Sequence, residues 1–184
     1  MVVINLWGAP SSGKSTTAAG LFFLMKINKK TVELVTEYAK ELVWERRENV
    51  FGDQTTIFAE QNRRLLRLQG HNVEFAVTDS PIPLPAFYKD EDYPESFDKL
   101  VMDLFNQYNN LNYLLKRTHS FESIGRRHDE NAAKRIDKEL EQFLNEHQIE
   151  YTEIEANPET PQLIFNDVLS KMAPNVEMPL KEIK

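Results

Sequence analysis

The sequence predicts a three-layer α/β domain, in which a five-stranded parallel sheet carries helices on both faces. One observation behind this prediction is the alternation of short apolar segments with longer segments of helical periodicity. Another is a glycine-framed turn at residues 8–15, which lies between the first apolar segment and the first helical one. Sheets of this kind bind ligands at the carboxyl ends of their strands, so we expect the functional site at that edge.

The individual elements follow from length and periodicity. Five segments have the character of buried strands: residues 2–7, 31–36, 73–78, 111–116 and 150–155. Six segments have helical character: residues 14–27, 38–47, 55–69, 97–107, 131–147 and 160–171. Asn157 and Pro158 predict a turn and a cap before the last helix. We therefore predict one domain over residues 1–172 and a loosely ordered tail over residues 173–184.

The composition of the 184-residue chain limits its environment and its partners. It has no cysteine, which excludes disulfides and thiolate metal sites and fits the reducing cytoplasm. It has no basic leader and no apolar run of membrane-spanning length, so we expect a cytoplasmic protein without a membrane partner. The sequence is compatible with a monomer and with a homodimer. The formal net charge of −7 argues against binding nucleic acid through overall charge, although a local basic stripe could still serve.

The turn at residues 8–15 has the spacing of a phosphate-binding P-loop. Its backbone N–H groups and the positive end of the following helix would face a triphosphate. The Lys14 ammonium would reach the β- and γ-phosphates, and the Ser15 hydroxyl would hold Mg²⁺. A chance match is the alternative, but the flanking strand and helix supply the context that a P-loop requires. The predicted ATP contacts are Gly8, Ala9, Pro10, Ser11, Ser12, Gly13, Lys14, Ser15 and Thr16, together with Asn157.

P-loops serve ATPases, GTPases, kinases and switch proteins, so other residues must choose among these functions. Asp79 follows the third predicted strand, which we expect beside the P-loop strand. Its carboxylate could bind Mg²⁺, directly or through water, or accept the proton of an acceptor hydroxyl. Asp-Ser-Pro is also good turn chemistry, so a turn cap is the structural alternative. The position after an apolar strand favours the functional role.

Glu37 follows the second predicted strand and is the other carboxylate expected near the phosphates. At this edge it would face the acceptor, where it could take the acceptor's proton as a base or bind a sugar hydroxyl. The alternative is a glutamate in the first turn of a helix, which the helix dipole stabilises. We expect the functional role, which favours a kinase.

A basic segment after the fourth strand is the third feature that favours a kinase. Arg126 and Arg127 follow Gly125, and a short lid with two guanidinium groups could close over the phosphates and neutralise the transferring group. The alternative is a solvated start of a charged helix, and for Arg135 the two interpretations are balanced. Asp137 could simply orient an arginine.

Four parts of the sequence resemble small P-loop kinases of the nicotinamide riboside kinase type: the P-loop at residues 8–16, Glu-Tyr-Ala at residues 37–39, the helix around Gln61, and Thr-Asp at residues 78–79. They also resemble the AAA family ATPases and thymidylate-kinase-like proteins common in phage genomes. The run at residues 125–137 is similar to the lid and following helix of that phage group. The resemblance covers the chain to about residue 172.

The resemblance implies a kinase that uses ATP and Mg²⁺ and acts on a nucleoside- or nucleotide-like acceptor. The roles it implies are ATP and Mg²⁺ binding for Gly8, Gly13, Lys14, Ser15 and Thr16, action near the acceptor for Glu37 or Asp79, and a lid for Arg126 and Arg127. Ser80 departs from the pattern, because thymidylate kinases and deoxynucleoside kinases have a basic residue after the carboxylate. This difference argues against their particular substrates.

An insertion at residues 81–95 is rich in proline, tyrosine and aspartate, and it could be an acceptor-side loop. Phe87, Tyr88 and Tyr93 could stack on a base there, or they could cover the edge of the domain.

Two other functions fit the sequence. A kinase of a hydroxymethylated base in DNA, like the phage hydroxymethyluracil DNA kinases that the chain also resembles, would need a basic track for the backbone. Five arginines could supply that track: Arg46, Arg47, Arg63, Arg64 and Arg67. A P-loop ATPase or switch module would hydrolyse ATP without an acceptor, but the sequence has no obvious set of arginine fingers for a ring assembly.

Overall fold

Five strands and seven helices build the part of the chain that is described. A computed structural model gives the structure of residues 1–118 and 130–172. The strands are β1 (Val2–Trp7), β2 (Val32–Val35), β3 (Phe75–Thr78), β4 (Asn109–Arg117) and β5 (Thr152–Ala156). The helices are α1 (Lys14–Ile27), α2 (Tyr38–Trp44), α3 (Gln54–Leu66), α4 (Leu84–Tyr88), α5 (Glu95–Phe105), α6 (Glu130–Glu146) and α7 (Thr160–Met172), and a 3-10 turn at Glu48–Val50 precedes α3.

The sheet is parallel throughout, with the strand order β2-β3-β1-β4-β5, which confirms the predicted fold class. The central strand β1 lies between β3 and β4, and all six of its residues are buried. The register aligns Asn5 with Thr78 and Thr78 with Val35, so β1, β3 and β2 end at one edge. This edge brings together the chain segments that follow the three strands.

Two apolar clusters cover the two faces of the sheet and form the three layers. On one face, Val3 and Trp7 pack with residues of α3, α5 and α6, and the Trp7 and Phe105 rings meet edge to face with centroids 6.3 Å apart. On the other face, Ile4 and Leu6 pack with residues of α1 and α7. The alternation of side chains along β1 therefore gives each face its own core. No helix among the described residues is long and apolar enough to cross a membrane.

Several predicted boundaries differ from the structure. The helix predicted over residues 38–47 ends at Trp44, because Arg46 has a left-handed backbone with φ of 55°. The insertion at residues 81–95 contains the short helix α4 and is not only a loop. The prolines in this segment indicated a loop, but they lie at the start of α4, where the fixed φ of proline suits the first helical turn.

The fourth strand is longer than predicted and continues to Arg117. Asparagine is uncommon in strands, so the asparagines of β4 weakened the prediction. In the structure, hydrogen bonds at the sheet edge and to the neighbouring strand satisfy their side-chain amides. The Asn110 amide donates to the Phe105 carbonyl at 2.7 Å, and its side-chain oxygen accepts from Asn5 Nδ2 at 2.9 Å. The added length places Arg117 at the carboxyl end of β4, beside the P-loop.

Candidate nucleotide-binding site

Two positions of the P-loop have backbone conformations that glycine adopts more easily than other residues. Gly8 has φ of 146°, and a Cβ there would overlap Ser12 Oγ and lie 3.0 Å from the Leu115 carbonyl oxygen. Gly13 has φ of 89° at the start of α1, where a left-handed residue lets the chain turn into the helix. The loop is closed by a hydrogen bond from the Ser12 N–H to the Ala9 carbonyl at 3.2 Å.

Lys14 lies across the mouth of the P-loop. Its Nζ donates to the Gly8 carbonyl at 2.7 Å and to the Ala9 carbonyl at 3.0 Å. These contacts hold the ammonium beside the backbone turn that is expected to bind phosphates. The arrangement presents a positive charge where anionic oxygens would collect, as the P-loop spacing predicts.

Ser15 and Asp79 form a pair of oxygen ligands beside the P-loop. The Ser15 hydroxyl donates to Asp79 Oδ2 at 2.6 Å. Asp79 is only 4% exposed, and its Oδ1 has no hydrogen-bond partner within the described parts of the chain. A buried carboxylate oxygen without a partner, next to a hydroxyl, suits the hard oxygen coordination of Mg²⁺. The residues therefore fit the metal ion that the P-loop implies.

Gln61 fixes the turn that carries Glu37. This side chain is 1% exposed; its Oε1 accepts from the Tyr38 N–H at 3.2 Å, and its Nε2 donates to the Thr36 carbonyl at 3.4 Å. The amide thus bonds the chain on both sides of Glu37 and ties the end of β2 to α3. Among the sequence features, only the resemblance pointed to a role for Gln61; a polar residue on the apolar face of a helix was the available signal.

Hydrogen bonds between a side chain and the backbone also fix the turn that carries Asp79. The Thr78 hydroxyl accepts from the Ser80 N–H at 3.1 Å and lies 3.1 Å from the Ser80 carbonyl oxygen. Both Thr78 and Ser80 are buried. This turn directs the chain away from β3 and leaves the Asp79 carboxylate toward Ser15.

A cavity of about 510 Å³ opens from the P-loop toward α2, α3 and α4. Its lining includes Gly8, Lys14 and Glu37, so the P-loop and the second carboxylate share one space. The lining also includes the apolar and aromatic side chains Val43, Phe51, Ile57, Leu84, Pro85 and Tyr88, together with the polar side chains Lys40, Gln54, Ser80 and Asp90. A cavity that combines apolar surface with a few polar groups suits a small molecule that carries a ring.

Comparison with known families identifies the group to which the chain belongs. A family model described as an AAA domain matches residues 3–160. The chain belongs to this AAA domain family. The match includes the P-loop and both carboxylates, and it agrees with the parallel sheet, so this AAA domain is a P-loop nucleotide-binding protein. No curated protein matches the chain.

The three aromatic residues of the insertion have different positions in this AAA domain. Tyr88 lines the cavity, and 37% of its surface is exposed. Tyr93 covers the domain edge, where its hydroxyl accepts from the Gln54 N–H at 2.8 Å. Phe87 packs edge to face on Phe143, with ring centroids 5.6 Å apart. Stacking on a base stays a prediction for Tyr88 alone among the three.

The remaining predicted site residues fall into two groups. Gly125, Arg126 and Arg127 lie outside the described residues. Arg135 borders a second cavity of about 310 Å³ between α4 and α6. Asp137 does orient an arginine, because its Oδ2 accepts from Arg117 Nη2 at 2.7 Å. Arg117 was not predicted from the sequence.

Asn157 caps the turn before α7, as predicted. Its side-chain oxygen accepts from the Glu159 N–H at 2.8 Å, and its own N–H donates to Thr160 Oγ1 at 2.9 Å. It follows β5 at the carboxyl edge of the sheet. A contact between Asn157 and ATP stays a prediction.

Arg64 connects α2 and α3 at the end of β2. Its guanidinium donates to the two Glu41 oxygens at 2.8 and 2.6 Å, to Glu60 at 3.0 Å, and to the Thr36 carbonyl at 3.2 Å. The hydrogen bond from Arg64 lowers the pKa of Glu41. Hydrogen bonds from Arg63 and then Arg64 lower the pKa of Glu60 to about 2. Arg64 therefore stabilises the ionised forms of Glu41 and Glu60, and it joins the helices α2 and α3, which both contribute residues to the cavity lining.

We expect Arg64→Ala to lower the free energy of unfolding by about 1.5–3 kcal/mol at neutral pH, the range for hydrogen bonds to charged groups. The hydrogen bond from Arg64 holds the pKa of Glu41 below its ordinary value of 4.5, and Arg64 adds to the effect of Arg63 on the pKa of Glu60, so this stabilisation is complete above about pH 5 and is lost as the pH falls through the lowered pKa values. Thermal unfolding between about pH 5 and about pH 3 should therefore show a steeper loss of stability in the wild type than in Arg64→Ala.

Arg63→Ala is the matched control for this prediction. Arg63 also binds Glu60, but its side chain is 61% exposed and the ion pair lies within α3. We expect a smaller loss at neutral pH than for Arg64→Ala, because exposed pairs contribute little. Equal losses in the two variants would contradict the assigned role of Arg64 as a connection between helices.

Proposed function

We propose that this protein is a kinase that uses ATP and Mg²⁺ to phosphorylate a hydroxyl of a nucleoside-like acceptor. The observation that carries the proposal is the shared cavity: Lys14 of the P-loop, Glu37 and a set of apolar side chains from α2, α3 and α4 line the same space. An enzyme that only hydrolyses ATP needs space for water beside the γ-phosphate. A cavity of about 510 Å³ offers space for a second substrate.

The reaction assigns one role to each part of the site. The P-loop amides and Lys14 hold the phosphates, and Ser15 and Asp79 would hold Mg²⁺, which supplies charge neutralisation when bound. The acceptor oxygen attacks the γ-phosphorus, the bond from that phosphorus to the β–γ bridging oxygen breaks, and ADP leaves. Glu37 takes the proton of the acceptor hydroxyl. Asn157 and the lid arginines predicted from the sequence belong to the same proposal as further contacts to ATP.

The charges of the cavity favour an acceptor without a phosphate group. Its described lining includes the cations Lys14 and Lys40 and the anions Glu37 and Asp90. The described lining contains no arginine, the residue best suited to hold a phosphate in two hydrogen bonds. With Lys14 engaged by ATP, the other three side chains have a net charge of −1. A neutral or cationic ring compound with a free hydroxyl fits this environment better than a nucleotide.

The other two functions have less support. Modified DNA would need the basic track, but Arg47, Arg63 and Arg64 form ion pairs with Glu45, Glu60 and Glu41 respectively. An ATPase or switch module also fits the AAA domain family. That function does not use the apolar wall of the cavity.

Labelled ATP separates these functions in one experiment. The protein is incubated with γ-labelled ATP and Mg²⁺, and with free nucleosides, nucleoside monophosphates, duplex DNA containing 5-hydroxymethyluracil, or no acceptor. Label on a nucleoside is the expected result. Label on the duplex would replace the proposed acceptor with modified DNA. Phosphate release that no acceptor changes would overturn the kinase proposal in favour of an ATPase.

Glu37→Gln should reduce phosphoryl transfer to the acceptor by about 10²-fold and leave nucleotide affinity nearly unchanged. The amide keeps the shape of the side chain but cannot accept the proton of the hydroxyl. Transfer rates and ADP affinity, measured on the same preparation, test this prediction. Glu45→Gln is the control, because Glu45 is an exposed glutamate beyond the end of α2. Loss of ADP affinity in Glu37→Gln would place the carboxylate on the nucleotide side.

A further inference from the structure

Arg117 and Asp137 meet at the side of the P-loop that faces α6. Arg117 ends β4, and its side chain is only 9% exposed. Asp137 lies on α6, where one carboxylate oxygen accepts from Arg117 Nη2 at 2.7 Å. The sheet and the helix are therefore joined by a largely buried ion pair.

The same two side chains also contact the P-loop backbone. Asp137 Oδ1 lies 3.4 Å from the Ala9 N–H, and Arg117 Nη1 lies 3.5 Å from the Pro10 carbonyl oxygen. The Ala9 N–H and the Pro10 carbonyl belong to consecutive residues of the loop. One ion pair thus holds two consecutive backbone groups of the loop.

Apolar packing supports the same part of the loop. Ala9 is fully buried and forms a small cluster with Ala133 and Ile136 of α6. Ile136 directly precedes Asp137, so one turn of α6 supplies both an apolar and a charged contact to Ala9. Lys14 and Ser15 begin α1, so the helix positions these two residues.

We propose that the Arg117–Asp137 pair is a positioning device that holds the first part of the P-loop, Gly8 to Pro10, in the shape that binds nucleotide. The proposal rests on nucleotide binding by the P-loop and does not require that the protein transfers the phosphate. Lys14 hydrogen-bonds to the Gly8 and Ala9 carbonyls, so a displacement of these residues would also displace the ammonium. Neither Arg117 nor Asp137 needs to touch the nucleotide for this effect.

Binding of a fluorescent ADP analogue, with Mg²⁺ present, tests the proposal. We expect Arg117→Ala and Asp137→Asn each to weaken binding about 10-fold, because small displacements of a binding loop are costly. The double variant should lose no more than the larger single loss, since both side chains act as one unit. Additive losses would mean that Arg117 contacts the nucleotide itself, and unchanged affinity in both single variants would mean that the pair is only structural. Either result overturns the proposal.

The neighbouring ion pair provides a matched control. Lys116 of β4 pairs with Glu141 of α6, so it joins the same strand to the same helix, and its ion-pair partners lie outside the P-loop. Lys116→Ala should keep wild-type ADP affinity even if its melting temperature falls as much as that of Asp137→Asn. Equal weakening of binding in Lys116→Ala would show that any loosening of α6 is sufficient, which also overturns the proposal.

Hydrogen exchange distinguishes positioning from a general loss of stability. The peptide that covers residues 8–13 should exchange faster in Asp137→Asn than in the wild type, while peptides from α7 stay unchanged. If the wild type transfers no phosphate to any acceptor, the kinase proposal fails. The exchange and ADP-binding measurements would still test the positioning role of Arg117 and Asp137. Unaltered exchange over residues 8–13 would contradict the positioning role.

Discussion

Replacing Lys14 with alanine is expected to lower phosphoryl transfer at least about 10²- to 10³-fold, the scale for loss of one preorganised charge donor. In the free protein, Lys14 Nζ donates to two carbonyls of its own loop, so the ammonium is already held where the phosphates are expected. Charge that develops during transfer would lose its nearest cation in the variant. Transfer from labelled ATP under single-turnover conditions measures the effect.

Lys26→Ala is the control for this variant. Lys26 lies in the last turn of the same helix, and it forms an exposed ion pair with Glu33. We expect wild-type transfer in this control and an unchanged fold in both variants, which circular dichroism can verify. Wild-type turnover in Lys14→Ala would refute the assignment of the phosphate site.

Asp79→Asn should lower turnover by two or more orders of magnitude. The amide keeps the shape of the side chain but removes the negative charge that would bind Mg²⁺ or accept a proton. Ser15→Ala, which removes the other proposed ligand, should raise the Mg²⁺ concentration needed for half-maximal transfer. Nucleotide affinity without metal should change much less in Ser15→Ala, because the hydroxyl acts through the ion.

A magnesium titration of each variant provides the measurement. Asp103→Asn is the control, since it changes an exposed aspartate on α5. If Ser15→Ala loses equal affinity with and without Mg²⁺, the hydroxyl has a different role from the one proposed. If Asp79→Asn retains full activity, the buried carboxylate is a turn cap, the structural alternative.

Sequence patterns predicted the features that depend on residues close together in the chain. The P-loop, Asp79 and Glu37 each follow an apolar strand, and the strand order then brings all three to one edge of the sheet. The fold class follows from the same alternation of strands and helices. Local spacing and a right-handed crossover are sufficient for these features.

Arg117 and Gln61 show why the rest could not be predicted. Each acts through partners that are distant in the chain: Arg117 contacts Pro10 and Asp137, and Gln61 contacts the backbone of Tyr38. A single sequence does not reveal which buried polar groups will meet. The helix α4 was missed for a local reason, because its prolines indicated a loop.

The placement of the cavity wall has a consequence for how new specificities can arise. The P-loop part of the lining follows the central strand β1, whereas other parts come from α2, the loop residues Phe51 and Gly52, the first turns of α3 and the short helix α4. Substitutions at Val43, Phe51 or Leu84 would change the outline of the space without reaching Lys14 or Asp79. Relatives with the same phosphate-handling centre could therefore diverge in the compounds they accept by exchanging a few residues along this rim.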